Sequence, residues 1–574
     1  MKNLQIFFIS AILFGCSSNS NGNISDNSPD VDPPDVVQTD CPGWALVNYI
    51  IESQEDLDRF ALLFPNCKTF YGNIIFNEVE DFNTTALNNI EYIEGSLTFD
   101  GIGGGSYDLS GFNNLKSVRV NLEFKNTTLT SLTTNFQTLE SVGGDLKIYQ
   151  NNELESIAGV TNLSLISGEF EIKDNLALLN LGDFPSLIQV AGGNMNFTRN
   201  DLLTSIGKFG SLTKINGEFR IDLDANNTLT EFSGFNALKS VQGILLGGMT
   251  EVNISGFNNI ETIDGFLAFG LINEVTGFES LNHIEGELNL LATFFEDLRI
   301  LDQLQTIGGN LDIRVNDNLT SLNGLEQLTS VGGDFNIYGN EALVNLVGSN
   351  NLSTLGGAIN IERNFNLKTI SGFNTIQSMK ELLITETGSI ESLTGFNNLI
   401  NIDDNLIFNN TYTSGGIVFD GFYNLQTVGL SVNLIWSNEL VTFEGFTNLI
   451  SVGESFFFNE SSGLTNLDNF SNLTNVGGTL AIENHTSLEN LDGFINLQST
   501  LKDLIIQDND VITDISGVQN INSVLEFIII SNNPMLSECS IVTVCQHLND
   551  GLNNTIEQNA SGCNSETDII SNCE

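Results

Sequence analysis

Hydrophobic residues recur along this chain with a period of about 24 positions. In most periods an apolar residue follows a glycine and precedes Leu or Ile by three positions, as in GFNNL at 111–115 and GFTNL at 445–449. Self-similarity at a fixed period predicts a repeat architecture, here of about nineteen coils. Ser349 is the one copy whose first residue is polar. The copies begin at Leu87, Phe112, Phe136, Val160, Phe184, Phe209, Phe235, Phe257, Phe278, Leu301, Leu325, Ser349, Phe373, Phe396, Phe422, Phe446, Phe470, Phe494 and Val518.

Each period also contains a short run in which apolar and polar residues alternate. Residues 139–151 (LESVGGDLKIYQN) and 328–340 (LTSVGGDFNIYGN) are two copies. Alternation with a period of two is typical of a strand with one buried face, and the Gly-Gly pair before it allows a tight corner. Frequent glycines and β-branched residues disfavour a helix inside the unit. We therefore predict an all-β, right-handed parallel β-solenoid with one clear strand per coil, on the order of 90 Å long at about 4.8 Å per coil.

Two further residue types recur in register with the strand. Stacked Asn amides inside a turn can satisfy the buried backbone groups of neighbouring coils. The Phe of the Gly-Phe pair is predicted to fill the interior opposite the strand, which accounts for the 40 Phe without an aromatic ligand site. The Asn residues stand three positions after the second buried strand residue, at Asn151, Asn175, Asn200, Asn316, Asn340, Asn364, Asn509 and Asn533.

The outward strand face differs between the two halves of the chain. Its central position holds Lys147, Glu171, Asn196 and Arg220 in the N-terminal half, which are ordinary solvated residues. A mostly apolar stripe on adjacent coils is typical of an interaction surface. The alternatives are that a loop such as 409–421 covers the stripe, or that the assumed register is off by one. The equivalent C-terminal positions, our candidate binding ladder, are Leu383, Ile407, Asn433, Phe457, Ala481, Ile505 and Ile529.

The first forty residues are not expected to belong to the fold. Lys2 precedes the apolar run Leu4–Phe14 and then Gly15-Cys16, which has the length and order of a secretory signal and looks like a bacterial lipobox. We predict a lipoprotein signal peptide at 1–15 and a flexible tether at 16–40, with the lipid on Cys16 as the only membrane attachment. The alternative is a simple signal peptide that is cut elsewhere.

The other cysteines lie at the two ends of the repeat region. Cys41 and Cys67 precede it, and four more follow it. Even numbers at each end predict disulfide-closed caps in an oxidising compartment, at 41–86 and 536–574, around a solenoid at 87–535. Four cysteines allow three pairings, of which we favour Cys539–Cys563 with Cys545–Cys573. A zinc site is the alternative, although the chain contains no C-x-x-C motif.

Charge and residue chemistry exclude several functions. With 19 Lys and Arg against 71 Asp and Glu, the net charge of −52 argues against nucleic-acid binding, whereas 41% hydrophobic residues argue for a folded chain. Each histidine is isolated and is predicted to be exposed or in a turn, so neither catalysis nor a cofactor is expected. Calcium binding needs loops that bring acidic residues together, and solvated surface acids are the default. The three histidines are His283, His485 and His547. The acidic residues considered for calcium are Asp222, Asp224, Asp312 and Asp317.

The run from Leu146 through Ile148 and Asn151 to Leu154 resembles the leucine-rich-repeat pattern. Its 24-residue, helix-free, Gly-Phe-containing form is similar to the receptor L domain, and similar arrays occur in secreted or lipid-anchored proteins of the Bacteroidota. The resemblance implies partner binding rather than catalysis. We thus expect a lipid-anchored adhesion or binding protein of the cell envelope, at the outer membrane, that recognises a protein or a glycan. A β-helix polysaccharide lyase or hydrolase is the alternative, and an ice-binding or purely structural solenoid ranks third.

Overall fold

The chain forms a parallel β-solenoid of about 20 turns, as the sequence predicts. The computed structural model describes residues 41, 47–132, 135–222, 229, 232–388, 390–410, 417–436 and 440–573. One strand per turn joins a long parallel ladder that runs along the molecule. Its strands are Val47–Ile51, Gly72–Asn77, Leu97–Asp100, Leu122–Lys125, Leu146–Tyr149, Phe170–Lys173, Met195–Thr198, Lys214–Asp222, Ser240–Ile254, Leu267–Val275, Leu288–Leu291, Leu311–Arg314, Phe335–Tyr338, Ile359–Glu362, Leu382–Thr385, Leu406–Asn410, Val432–Trp436, Phe456–Asn459, Leu480–Glu483, Thr500–Gln507, Ser523–Ser531 and Asn553–Glu557.

A second ladder of two-residue strands runs beside the first, which the sequence analysis missed. Each of these strands ends at the Val, Ile or other apolar residue that precedes the glycine corner, and it pairs in parallel with its counterpart one turn away. Two residues are too few to show an alternating pattern in the sequence. The strands are Thr69–Phe70, Tyr92–Ile93, Ser117–Val118, Ser141–Val142, Leu165–Ile166, Gln189–Val190, Thr262–Ile263, His283–Ile284, Thr306–Ile307, Ser330–Val331, Thr354–Leu355, Ser378–Met379, Asn401–Ile402, Thr427–Val428, Ser451–Val452 and Asn475–Val476.

The remaining elements lie at the third side of the coils and at the ends. Short strands pair in parallel at Phe82–Asn83 with Tyr107–Asp108, Asn345–Leu346 with Thr369–Ile370, and Ile417–Phe419 with Leu440–Phe443. The α-helices are α1 (Gln54–Leu63), α2 (Val542–Asn549) and α3 (Glu566–Ile570). Single 3-10 turns occur at Thr84–Leu87, Ser110–Phe112, Arg299–Leu301, Thr394–Phe396, Asp468–Phe470, Asp492–Phe494 and Ser516–Val518.

The glycine corner is needed because successive coils approach each other closely. A Cβ added at Gly143 would stand 2.1 Å from the carbonyl oxygen of Arg119, and one at Gly332 would stand 2.1 Å from that of Gly308. Neither glycine has a positive φ. Left-handed backbone occurs instead one position before the recurrent Asn, as at Gln150 with φ 58°. Backbone crowding, rather than an unusual dihedral angle, thus explains why the corner is glycine.

The recurrent Asn residues form the predicted ladder inside the turn. In the middle segment, the Asn340 side chain donates to the carbonyl oxygen of Ile313 at 3.1 Å and to Oδ1 of Asn364 at 3.2 Å. Its own Oδ1 accepts from the backbone N–H of Asn316 at 3.0 Å and from the Asn316 amide at 3.1 Å. All the predicted members are buried. One amide per coil therefore satisfies backbone groups of the coils on both sides.

Three residues extend this ladder where the sequence analysis did not place them. The hydroxyls of Thr127 and Thr293 donate to Oδ1 of Asn151 and of Asn316, respectively. Each Thr therefore stands at the start of one segment of the Asn ladder. Asn559 accepts from the backbone N–H of Asn533 at 3.0 Å, so the ladder extends beyond the last predicted Asn. A small hydroxyl or amide at the equivalent turn position is the only sequence signal for these members.

The phenylalanines of the Gly-Phe pairs stack along the interior, as predicted. Phe396, Phe422, Phe446 and Phe470 follow one another with ring centroids 5.4 Å apart and nearly parallel planes. All of them are buried. Ser349 interrupts this column, and its buried hydroxyl oxygen has no hydrogen-bond partner. The stacked phenylalanines thus belong to the core.

Two histidines are buried, although the sequence predicts each of them to be exposed or in a turn. His485 is 0% exposed and occupies an Asn position of the ladder, where its Nδ1 lies 2.7 Å from Oγ of Ser461 and its ring stacks on Phe458. His547 is 2% exposed on α2, and its ring nitrogens contact the carbonyl oxygens of Val524 and Asn553. An imidazole can replace an amide because it too offers two hydrogen-bonding nitrogens.

The burial of His485 predicts a pH-dependent stability. Burial lowers its pKa from 6.5 to about 4, so the unfolded chain binds this proton at a higher pH than the folded chain. Stability should therefore fall as the pH drops from about 6.5 to about 4, by about 3 kcal/mol in all. The variant His485→Asn, which restores the ladder residue, should lose less stability over this range in urea titrations at several pH values. His283→Asn is the control, and equal pH slopes for wild type and His485→Asn would contradict the assignment.

Disulfides close both ends in the pairing that the sequence analysis favoured. Cys41 is bonded to Cys67, Cys539 to Cys563, and Cys545 to Cys573. The long ladder continues into the two predicted caps. Strand Val47–Ile51 pairs with Gly72–Asn77 before residue 87, and strand Asn553–Glu557 pairs with Ser523–Ser531 after residue 535. The helices then pack on the terminal coils, with α1 at one end and α2 and α3 at the other.

Candidate functional site

The seven residues of the candidate binding ladder stand in one register column. Each pairs with its neighbours on adjacent turns, and the column continues from Asn360 before Leu383 to Thr555 after Ile529. The residues on either side of Phe457, Phe456 and Phe458, are 0% exposed. The assumed register is therefore correct. Along the column each residue pairs with the next in the order Leu383, Ile407, Asn433, Phe457, Ala481, Ile505 and Ile529.

Ala481 departs from the prediction because it is not on the surface. It is 1% exposed, whereas the other six members are partly exposed. Its methyl group lies in register between Phe457 and Ile505, and the two larger side chains on adjacent strands shield it from water. The column of partly exposed side chains is therefore interrupted at Ala481, beside Phe457.

The N-terminal half of the same face is charged, as predicted, and its charges are paired between coils. Lys147 forms ion pairs with Asp145 at 3.3 Å and with Glu169 at 2.9 Å. Burial acts to lower the pKa of Lys147, but the two carboxylates outweigh it and raise that pKa. Arg199 pairs with Asp174 at 2.7 Å. These contacts neutralise much of the local charge and are typical of a solvated face.

A polar cleft opens on this charged half. Small side chains at Asn196 and Thr198 form its floor, and the longer side chains of Glu171 and Arg220 stand on the coils to either side. Burial and the neighbouring Glu169 raise the pKa of Glu171. Acidic and basic groups are mixed here, so the cleft presents no single charge to a ligand. The full lining is Glu171, Lys173, Asn196, Thr198, Arg199 and Arg220.

The C-terminal half contains a group of outward residues without any charge, which we call the uncharged window. It covers three adjacent coils at three outward positions of each strand. In its first column, the backbone N–H of Ser431 donates to Asn405, and that of Ser455 donates to Oγ of Ser431. The window consists of Asn405, Ile407, Asn409, Ser431, Asn433, Ile435, Ser455, Phe457 and Asn459.

Two amides of the uncharged window have unsatisfied oxygens. The Oδ1 atoms of Asn409 and Asn433 are enclosed and have no hydrogen-bond partner. The two residues stand on adjacent coils, since Asn409 pairs with Ile435 and Asn433 pairs with Ile407. Buried polar atoms without a partner are rare in folded proteins and call for an explanation. Asn433 is also a member of the candidate binding ladder that the sequence predicts, whereas Asn409 is not.

The acids considered for calcium do not form a cluster where the structure describes them. The carboxylate of Asp312 forms an ion pair with Arg314 at 2.6 Å and accepts a hydrogen bond from the amide of Asn336 at 2.7 Å. Asp317 is exposed, and Asp224 lies outside the described residues, as does the side chain of Asp222. Among the described residues, no three His, Cys, Asp or Glu side chains converge as metal ligands.

Histidine 283 and Cys16 complete the sequence-predicted sites. His283 is partly exposed, and its ring contacts Oγ1 of Thr306 at 2.5 Å and Glu285 at 3.0 Å. Cys16 and the whole predicted tether lie outside the described residues. In the described part of the chain, no helix is long and apolar enough to cross a membrane.

The comparisons with known proteins give a fold likeness only. No protein-family model matches the chain, and no curated protein matches it. Solved structures that match include a TLR13–ssRNA13 complex (12% identity, 82% of this chain and 89% of that chain, TM-score 0.23) and the Drosophila Toll–Spatzle complex (13% identity, 89% and 84%, TM-score 0.20). A leucine-rich repeat protein from Bacteroides ovatus also matches (16% identity, 54% and 85%, TM-score 0.14). At TM-scores below 0.5 these matches carry no argument, and the parallel β-solenoid rests on the observed strand pairing alone.

Proposed function

We propose that this protein is an exported, lipid-anchored, non-catalytic binding or adhesion protein that presents its solenoid for recognition at the cell envelope. The observation that carries the proposal is the column from Leu383 to Ile529, in which five of the seven side chains are apolar and partly exposed, with Asn433 polar and Ala481 buried. Contiguous exposed apolar surface is typical of interaction sites. The three disulfides support an oxidising compartment.

Two substitutions on the stripe test this function. Phe457→Asp combined with Ile505→Asp places two charges two coils apart on outward positions, so the inward core stays intact. Binding to printed arrays of glycans and envelope proteins should fall at least tenfold, because aromatic anchors dominate interface energetics. The control, Ile50→Asp with Thr98→Asp, adds the same charges two coils apart at the N-terminal end of the column.

The control pair should keep wild-type binding, and circular dichroism should show that both pairs are folded. Unchanged binding by the stripe variant would place recognition elsewhere on the molecule. Unfolding of the stripe variant alone would mean that Phe457 and Ile505 belong to the core.

The lipid anchor is a separate prediction. Cys16 follows an apolar run of signal-peptide length, and the polar stretch 17–40 suits a tether that holds the solenoid away from a membrane. A palmitate analogue supplied to growing cells should label the wild type and leave Cys16→Ala unlabelled. Equal labelling of both chains would contradict the anchor. Ser17 offers no inner-membrane retention signal, which favours the outer membrane.

The alternative of a β-helix carbohydrate-active enzyme has a direct test. Incubation of the protein with a panel of polysaccharides should release neither new reducing ends nor unsaturated products. The cleft at Glu171 offers both acidic and basic side chains, which makes it a candidate place for such an activity. Product release that Glu171→Gln abolishes would replace the binding proposal with the enzymatic one.

A further inference from the structure

The uncharged window is unusual for the chain that carries it. The protein has 71 Asp and Glu among 574 residues, yet nine adjacent outward positions on three coils hold only Asn, Ser, Ile and Phe. The corresponding positions of the N-terminal half contain ion pairs such as that of Lys147 with Glu169. The window contains no charged residue of its own, although the amide of Asn405 at its edge donates to the carboxylate of Glu381 at 2.9 Å, so it offers a ligand mainly hydrogen bonds and apolar contact.

We propose that the uncharged window binds a neutral polysaccharide, with Phe457 stacking against a sugar ring. This inference rests on the proposed function, because it names the ligand of the same stripe. A net charge of −52 repels polyanions such as uronate-rich or sulfated glycans. A cationic ligand would need carboxylates at the site, and the window has none. The remaining chemistry is that of a neutral, polar chain.

The side chains of the window fit the two kinds of surface that a sugar ring offers. A pyranose has an apolar C–H face and a rim of hydroxyls, so its site combines an aromatic or aliphatic surface with precisely placed polar groups. Phe457 provides the aromatic surface, between Asn433 on one neighbouring coil and Ala481 on the other. Phe457 is itself partly exposed, and neither neighbour in its own column carries a bulky side chain.

The unsatisfied amides supply the polar contacts. Leaving a buried acceptor without a donor costs about 1–3 kcal/mol, which a hydrogen bond to a ligand hydroxyl offsets. The Oδ1 atoms of Asn409 and Asn433 lack a donor in the described structure, and a side-chain rotation on binding would be needed to present either of them to a ligand hydroxyl. The two residues stand on adjacent coils at different strand positions, so their oxygens can contact successive parts of one ligand chain.

The direction of the window suits an extended polymer. Its three coils stack along the solenoid axis at about 4.8 Å per strand, close to the length of one pyranose unit in an extended glycan. A polysaccharide that lies along the axis would place successive rings over Ile407, Asn433 and Phe457. This arrangement repeats the contact from coil to coil, as stacked repeats do.

Affinity electrophoresis of the full chain tests the inference. Gels contain galactomannan, xyloglucan, mixed-linkage β-glucan, yeast mannan or amylopectin as neutral probes, and polygalacturonate or alginate as anionic ones. At least one neutral polysaccharide should retard the protein, and Phe457→Ala should weaken that binding at least tenfold. The control Tyr338→Ala removes another outward aromatic, which contacts Arg363 outside the window, and should leave the retardation unchanged.

Three results would overturn the inference: retardation by anionic probes alone, retardation by none of the probes, or equal losses in Phe457→Ala and Tyr338→Ala. Loss of protein binding on the arrays in the Phe457→Asp and Ile505→Asp variant would then still support the proposed function. The two proposals therefore fail separately. Neutral binding should also be insensitive to salt between 50 mM and about 500 mM, since no ion pair forms.

Discussion

Replacing Asn340 with leucine should lower the free energy of unfolding by about 3–5 kcal/mol. The substitution removes an amide that makes four hydrogen bonds across three coils. It leaves the carbonyl oxygen of Ile313 and the N–H groups of Asn316 buried in an apolar interior, and each such group costs about 1–3 kcal/mol. Leucine has the same branched shape as asparagine and a larger volume, so no cavity forms and the lost hydrogen bonds, with some crowding, account for the effect.

Urea denaturation with far-UV circular dichroism measures this loss. The matched control is Asn318→Leu, which changes an exposed Asn of the neighbouring coil whose amide makes one long hydrogen bond of 3.5 Å to the carbonyl oxygen of Phe294. The control should shift stability by about 0.5 kcal/mol or less. Limited proteolysis of Asn340→Leu should reveal new cleavage near the weakened coil, because repeats depend on their nearest neighbours. Equal stability of the two variants would contradict a structural role for the Asn ladder.

Reduction of the disulfides should start unfolding at the two ends of the solenoid. A terminal coil has a stacking neighbour on one side only in the described chain, as the edge strands Val47–Ile51 and Asn553–Glu557 show. Each disulfide there contributes about 2–4 kcal/mol. The bond between Cys539 and Cys563 is buried and connects the last Asn-ladder turns. Its loss should therefore affect more of the fold than the loss of an exposed crosslink.

Pulse proteolysis with peptide mapping distinguishes end-first unfolding from a global loss of structure. In dithiothreitol, cleavage should appear first within 41–67 and 539–573 while the central coils stay protected. The variant Cys545→Ala with Cys573→Ala should become sensitive at the C-terminal end alone, because the Cys41–Cys67 bond remains. Unchanged resistance of both ends after reduction would show that the caps do not depend on their disulfides.

Local sequence patterns were sufficient for the interior of each coil. Alternation at Leu146 and Ile148 predicts a strand with one buried face, and both residues are buried in the observed strand. The spacing of Asn151 predicts a buried amide ladder, and the Gly-Phe pairs predict the stacked column of rings. These predictions hold because the same short-range arrangement repeats at a constant period. A pattern found in one copy therefore applies to the equivalent positions of the other copies.

The errors occurred where a residue departs from its copies or where the neighbouring coil decides the outcome. His485 was predicted to be exposed or in a turn because its flanking residues are polar, and it is instead fully buried at a position of the Asn ladder that only the repeat alignment reveals. Ala481 stands in an outward column and is nonetheless buried, because Phe457 and Ile505 flank it. The unsatisfied amide oxygen of Asn433 has no signature in the sequence at all.

The sequence by itself determined the period, the strand of each coil, the inward and outward faces and the residues that fill the core, since these depend on spacing within one repeat. Only the tertiary structure decided what happens between repeats. The contact of Gly143 with Arg119, the disulfide pairing at the C-terminal end and the uncharged window all join residues about 24 or more positions apart. Side chains on neighbouring coils set one another's exposure and hydrogen bonding, and that information exists only when the coils are stacked.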